Sequence, residues 1–212
     1  MRVLIFGGTS FTGPHTVRAL VDGGHKVTVF HRGESEPELP AEVHHVHADV
    51  AAFTEHVDDL HALRPDVVLD MMALRREDAS RVLSFTGIAE RVLVASSVDV
   101  YRAYGRMWRT ELGQPDPLPL TEDSPLREKL SQDGLVYDKT GIEAELRAQS
   151  ELPVTILRLP AMHGPGDRQH RLFPYLKRMD DGRRAILLDE TFANFRWARG
   201  YAEDVATRSF WP

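Results

Sequence analysis

A glycine-rich turn between an apolar strand and a helix constrains this chain more than any other feature. Val3-Leu4-Ile5-Phe6 runs into Gly7-Gly8-Thr9-Ser10-Phe11-Thr12-Gly13, and then into Pro14 and an amphipathic stretch from His15 to Val21. Strand, glycine turn and helix in that order point backbone N–H groups and the positive end of a helix dipole at one spot, which suits a phosphate. Pro14 fits the first helical turn, where its missing N–H has no partner to lose. A bare βα turn with three glycines is the bland reading. The strand before the turn and the helix after it favour the dinucleotide fingerprint instead.

The pattern that starts there continues. Val27-Thr28-Val29-Phe30, Val43 to His47, Asp66-Val67-Val68-Leu69-Asp70, Arg91 to Ala95 and Pro153 to Leu159 read as further short strands, six in all with the first. Helical spacing appears from Ala51 to Leu63, from Arg75 to Phe85 and from Tyr137 to Ser150, and Gly23-Gly24 serves as a helix C-cap. Short apolar strands alternating with helices predict an α/β fold, a doubly wound parallel sheet of Rossmann-like type over residues 1–160. Residues 161–212 break the pattern. They contain one helical stretch, Leu172 to Met179, and two short strands, and read as a small, truncated C-terminal substrate lobe. Arg102 to Gly134, rich in proline and glycine, is expected to be a long irregular excursion covering a site.

Composition narrows the chemistry. The 212 residues contain no cysteine, which removes disulfides, thiolate catalysis and cysteine-held metals and fits a cytoplasmic protein. A net charge of -6 argues against nucleic acid as a partner. No apolar run is long enough to span a membrane. His44, His45 and His47 gather near His56 and His61. Neighbouring strand residues face opposite ways, so His44 and His45 cannot share an ion. A cysteine-free site needs a third histidine or a carboxylate, and no metal is expected.

Six landmarks in order give the chain a resemblance to a known family: the turn Gly7 to Gly13; Asp49-Val50; Ser96-Ser97-Val98-Asp99-Val100-Tyr101; Lys139 with Glu143; Arg158 to Gly166; and Gly200 to Ala206. The chain resembles the extended short-chain dehydrogenase/reductase superfamily in its NAD-dependent epimerase/dehydratase branch. The resemblance implies an oxidoreductase acting on a sugar nucleotide or a related small hydroxy or carbonyl compound. It implies that Gly7, Gly8, Thr9, Ser10, Phe11, Thr12 and Gly13 cradle the pyrophosphate, with Ser10 standing at the usual middle glycine. Asp49 and Val50 would flank the adenine, and Ala73, Pro160 and His163 would line the rest of the cofactor. Ser97 corresponds to the catalytic serine, which also holds substrate, and Lys139 to the lysine on the nicotinamide ribose. In the substrate-side lobe, Arg171 and Arg196 would meet an anionic substrate, with His170 and Arg199 nearby.

Two positions depart from that pattern. The second strand ends in Phe30-His31-Arg32-Gly33 with no carboxylate before Glu34. A guanidinium there suits a 2′-phosphate, so the expected cofactor is NADP or NAD, with Arg32 tilting the choice toward NADP. In the family a tyrosine precedes the lysine by four residues, on one helix face, but Leu135 holds that place. Tyr137 is two residues before Lys139, and two helical steps turn roughly 200°, to the opposite side. Three readings remain open. Tyr137 lies outside the regular helix and reaches the site; Tyr101 or Tyr104 serves instead; or the protein binds a dinucleotide without catalysis, as a regulator. RNA binding, found in a plastid branch of the superfamily, is a more remote alternative. Lys139 also has a bland reading, an exposed pair with Glu143, and Ser97 another, a strand-end turn cap. Trp108, with Arg106 and Arg109, is placed on a lid. Phe210 and Trp211 are expected to pack on the body or in a homodimer contact.

Overall fold

The computed structural model describes residues 1–128 and 137–209. Six strands form one parallel sheet: β1 (Arg2–Phe6), β2 (Lys26–His31), β3 (His44–His47), β4 (Val67–Asp70), β5 (Arg91–Ser97) and β6 (Val154–Leu159). Their spatial order is β3-β2-β1-β4-β5-β6, so the chain reverses direction of growth between β1 and β4. At the carboxyl ends of those two strands the connections diverge to opposite edges and leave a crevice. The central strands are apolar at nearly every position because both faces of the sheet are covered.

Two cores follow from the pleat. On one face, Leu4, Phe6, Phe30, Val68 and Val92 meet α2 (Phe53–Ala62), α3 (Ala79–Leu83) and α5 (Lys139–Arg147) through Leu60, Val82, Ile142 and Leu146. Phe6 lies 5.4 Å from Phe30 and 6.1 Å from Phe85, ring centre to ring centre. On the other face, Val3, Ile5, Val27, Val29 and Leu69 meet Val17 and Leu20 of α1 (Gly13–Asp22). Helix α8 (Ala202–Ser209) packs on α1, burying Ala202 and Ala206 and bringing Val205 to the same core. Thus α8, beyond residue 160, returns to the sheet. Between β6 and α8 lie β7 (Ala161–His163) and β8 (Arg199–Tyr201), paired in parallel with each other, and the helices α6 (Phe173–Asp180) and α7 (Glu190–Asn194).

Three boundaries differ from the sequence reading. Arg102–Met107, expected to be irregular, forms helix α4, which buries Ala103, Tyr104 and Met107. The stretch read as one helix from Arg75 to Phe85 is a 3₁₀ turn, Arg76–Asp78, followed by the short α3. Helix α5 begins at Lys139, two residues later than expected, because the Asp138 carboxylate accepts the Gly141 N–H at 2.9 Å with Asp138 itself in a non-helical conformation. Among the described residues no helix is long and apolar enough to cross a membrane.

Candidate functional site

The crevice is an elongated groove with two stretches that meet at Met71. The first, about 370 Å³, is lined by Gly7, Gly8, Thr9, Ser10, Thr12, His31, Arg32, Val50 and Arg168, among others. Gly7 and Gly8 have φ of +98° and +92°, which side chains rarely adopt. A Cβ on Gly13 would lie 2.4 Å from the carbonyl carbon of Gly8, so the helix start and the turn touch backbone to backbone. Among the described residues, the amides of Thr9, Ser10, Phe11 and Thr12 have no protein acceptor. Bare amides at the mouth of a helix, on a turn that excludes side chains, fit a pyrophosphate.

At the far end of this stretch Arg32 faces the groove but is already paired, 3.0 Å from Glu34 and 4.0 Å from Asp49. Arg168 reaches the same place and donates to Ser35 Oγ at 3.4 Å. Val50 lines the groove as expected, whereas Asp49 caps the following 3₁₀ turn by accepting the Ala51 N–H at 2.8 Å. The floor beside Met71 and Met72 is fixed by Asp70, fully buried at the end of β4. Its carboxylate accepts the amides of Met72 and Ala73 and the Arg81 Nε–H, at 2.8, 2.9 and 2.9 Å. Sequence reasoning passed over this pair; an aspartate closing an otherwise apolar strand was the available signal.

The second stretch, about 870 Å³, is lined by Ser97, Asp99, Tyr104, Trp108, Tyr137, Lys139, Pro160, Met162, Arg171 and Arg199, among others. Tyr137 precedes the capping Asp138, so the 200° rotation does not apply to it, and it reaches Ser97. Ser97, Asp99 and Tyr137 share the groove wall, and Ser97 and Asp99 both act on the Tyr137 hydroxyl. Burial and the Asp99 charge raise the phenol to about 12. Ser97 also accepts the Asp99 N–H at 3.1 Å, so it is a turn cap and a groove residue at once. Asp99 in turn is held by Arg127 at 3.1 Å. Its part in the cluster was not foreseen, although it lies two residues past Ser97.

Lys139 is buried, and its ammonium donates to the carbonyls of Ala73, at 2.5 Å, and Ala95, at 2.6 Å. Burial lowers it to about 8. The exposed Lys139–Glu143 pair is not found. Glu143 is buried too, and binds Arg158 through Nε and Nη2, the shortest contact being 2.7 Å, while accepting the Ser96 hydroxyl at 2.6 Å. Tyr101 is drawn into the same cluster: Arg158 donates to its oxygen at 3.0 Å and lies over its ring at 4.8 Å. Tyr104 is buried against Phe195 and Trp197, though it borders the groove.

Other expected residues separate. Arg171 borders the groove while donating to Asp167 at 2.6 Å and to the Met162 carbonyl at 3.1 Å. Arg196 is exposed away from it, and Arg199, over the Trp197 ring at 4.1 Å, borders it instead. His163 packs against Tyr201, 5.9 Å between ring centres, and lines neither stretch. Ala73 contributes its carbonyl to Lys139 rather than a surface to the groove. Trp108 stacks edge-on with Trp197 at 5.5 Å over the groove wall. Leu135, Phe210 and Trp211 lie outside the described residues. Among the histidines, His44 and His45 do face opposite ways, but His45 and His47 are joined on their face by His31 of the neighbouring strand.

Residues 3–211 match the model of the NAD dependent epimerase/dehydratase family. The chain is 30% identical, over 211 residues, to a 2'-dehydrokanamycin reductase of Streptomyces kanamyceticus, covering 96% of this chain and 55% of that protein. It is 33% identical over 113 residues to the chloroplast stem-loop binding protein of 41 kDa b of Arabidopsis thaliana, covering 47% of this chain and 30% of the relative. Among solved structures, an NAD dependent NDP-hexosamine 5,6-dehydratase, TunA, superimposes with a TM-score of 0.64 at 26% identity, covering 97% of this chain and 69% of that one. The chain therefore spans little more than half the length of that reductase.

Proposed function

The chain belongs to the NAD dependent epimerase/dehydratase family, and on that premise we propose that it moves a hydride between a nicotinamide dinucleotide and a carbon bearing a hydroxyl or carbonyl, in a sugar nucleotide or a related small molecule. The observation that carries this reading is the grouping of Ser97, Asp99 and Tyr137 beside the buried Lys139 on one groove wall, at the end away from Arg32 and Arg168. The dinucleotide supplies or accepts the hydride. The turn from Gly7 to Gly13 would hold its pyrophosphate on the amides of Thr9 to Thr12, with the turn after β4 as floor.

The chain's own groups handle the proton. In the reducing direction the Tyr137 O–H would give its proton to the substrate oxygen as the carbon gains a hydride from the dinucleotide. A phenol held near 12 is fully protonated at neutral pH and so begins in the state a donor needs. The Ser97 O–H steadies the same oxygen. Lys139, an ammonium between two carbonyls, would have a donor to offer a ribose hydroxyl. Arg171 and Arg199 on the outer wall suit an anionic substrate such as a nucleotide diphosphate.

Arg32 and Arg168 at the adenosine end favour NADP(H), while Glu34 offers an acceptor for the ribose hydroxyl of NAD(H). The reading is use of both, with preference for the phosphorylated form. A cytoplasmic location fits the cysteine-free composition. RNA binding, the property in the plant relative's name, is disfavoured by the acidic charge.

The test pairs dinucleotide titration with turnover of nucleotide sugars and simple carbonyls. Tyr137→Phe should lower turnover by about 10²–10⁴-fold and leave dinucleotide affinity intact. Tight dinucleotide binding with no turnover in the native chain favours a regulatory protein instead, and equal turnover in Tyr137→Phe removes Tyr137 from the mechanism.

A further inference from the structure

Strands β2 and β3 pair in parallel with Val29 opposite His45 and His31 opposite His47. His45 and His47 are two residues apart and therefore share a face, the same one that carries Val27, Val29 and His31. Three imidazoles thus converge from two strands. His31 is buried, His45 half-buried and His47 exposed, and one donor nitrogen from each lies within 4.8 Å of the others. His31 Nε2 and His45 Nδ1 are 2.8 Å apart. Around a tetrahedral ion with bonds of 2.0–2.1 Å, ligand nitrogens are about 3.3 Å apart, so small ring rotations suffice. Glu36 lies outside this group of three and pairs with the exposed His47, its Oε1 3.0 Å from His47 Nε2. The third histidine that a cysteine-free site can use is present.

We propose that His31, His45 and His47 bind a zinc-class divalent cation that clamps the edge strand β3 to β2. Imidazole donors suit zinc, copper or nickel rather than magnesium or calcium, which take oxygen. At present the Gly33 N–H donates to His31 Nδ1 at 3.2 Å, so the ring proton is on Nε2 and points at His45. The cation takes the place of that proton, which moves to Nδ1, and the long Gly33 bond is given up. Burial and the two neighbouring rings push His31 below its usual range, which keeps its lone pair available.

The experiment uses the untagged chain, stripped with chelator, and Zn²⁺ and Co²⁺ as probes. Calorimetry should give one Zn²⁺ per chain, and Co²⁺ should show the intense visible bands of a tetrahedral site. His45→Gln and His47→Gln, on partly or fully exposed side chains, should weaken binding by at least about 10–100-fold, and Zn²⁺ should raise the melting temperature of the native chain but not of His47→Gln. His44→Gln, on the opposite face of the same strand, should bind as the native chain does. Absence of stoichiometric binding by the native chain, or equal losses in His44→Gln and His47→Gln, overturns the site.

Discussion

Replacing Gly13 with alanine should damage both stability and dinucleotide binding, and the size of the effect can be worked from the contacts. The added Cβ would stand 2.4 Å from the Gly8 carbonyl carbon, 2.6 Å from its Cα and 2.7 Å from its oxygen. Carbon atoms prefer about 3.5–4.0 Å, so turn and helix must part by more than about 1 Å. Gly8 has no room to withdraw, because the position of its own missing Cβ is 3.2–3.3 Å from Val29, Ile5 and Val17. Helix α1 must move instead, lifting Val17 and Leu20 off the sheet. Backbone-displacing overpacking of this kind costs about 3 kcal/mol, or roughly 6–12 °C in melting temperature for a chain of this size. Gly24→Ala is the control. Gly24 has φ +79° with nothing within 4 Å, so it carries backbone strain alone, about 1 kcal/mol, and leaves the groove untouched. Thermal melts followed by circular dichroism, and fluorescence titration with NADH and NADPH, read both quantities. If Gly13→Ala melts no lower than Gly24→Ala and binds dinucleotide like the native chain, the steric argument is wrong.

Three further outcomes are expected. Glu143→Ala leaves the buried Arg158 without its carboxylate and should destabilise by about 3–5 kcal/mol in urea unfolding, whereas Glu145→Ala, losing an exposed pair with Arg76, should cost less than about 1 kcal/mol; similar midpoints for the two would contradict the buried network. Lys139 is lowered from 10.5 to about 8, so between those values the unfolded chain holds a proton that the folded chain has released, and folding is favoured by rising pH. Native stability relative to Lys139→Met should therefore climb from pH 8 to pH 10.5, and a flat difference would count against the burial of its charge. Arg32→Ala should shift the NADPH-to-NADH affinity ratio about tenfold toward NADH, the equivalent of one charged hydrogen bond; an unchanged ratio would show that Arg32 takes no part in the choice.

The central strands β1, β4 and β5 were legible because each is a short, largely apolar run buried on both faces, and the glycine turn because its backbone geometry admits few other residues. The start of α5 was not. Helical spacing runs smoothly through Tyr137, and the deciding event is a single carboxylate, Asp138, turning to the Gly141 amide. That one cap moves Tyr137 from the wrong side of a helix to within reach of Ser97. Helix α4 was hidden by the proline- and glycine-rich stretch around it, since Gly105 lies inside the helix and its buried face is set by Trp197 and Phe195 from far along the chain. Glu143 looked like a surface partner of Lys139 because the four-residue spacing is visible locally, while its true partner, Arg158, is on another element. The approach of His31 to His45 and His47 was hidden for the same reason: a strand pattern records which neighbours diverge and not what the adjacent strand brings opposite.

The contact between α1 and α8 has a consequence for synthesis. A chain emerging from the ribosome presents its first βα unit early, yet the helix that covers α1 is made only after every strand of the main sheet. Through that interval the α1 surface under Ala202, Val205 and Ala206 stands open to water, and local contacts alone cannot close it. Folding of this face is therefore obliged to be late and cooperative, with a long loop to close before the reward arrives. A nascent chain stalled before residue 202 should hold a formed βαβ nucleus with an adhesive flank, a natural client for a chaperone.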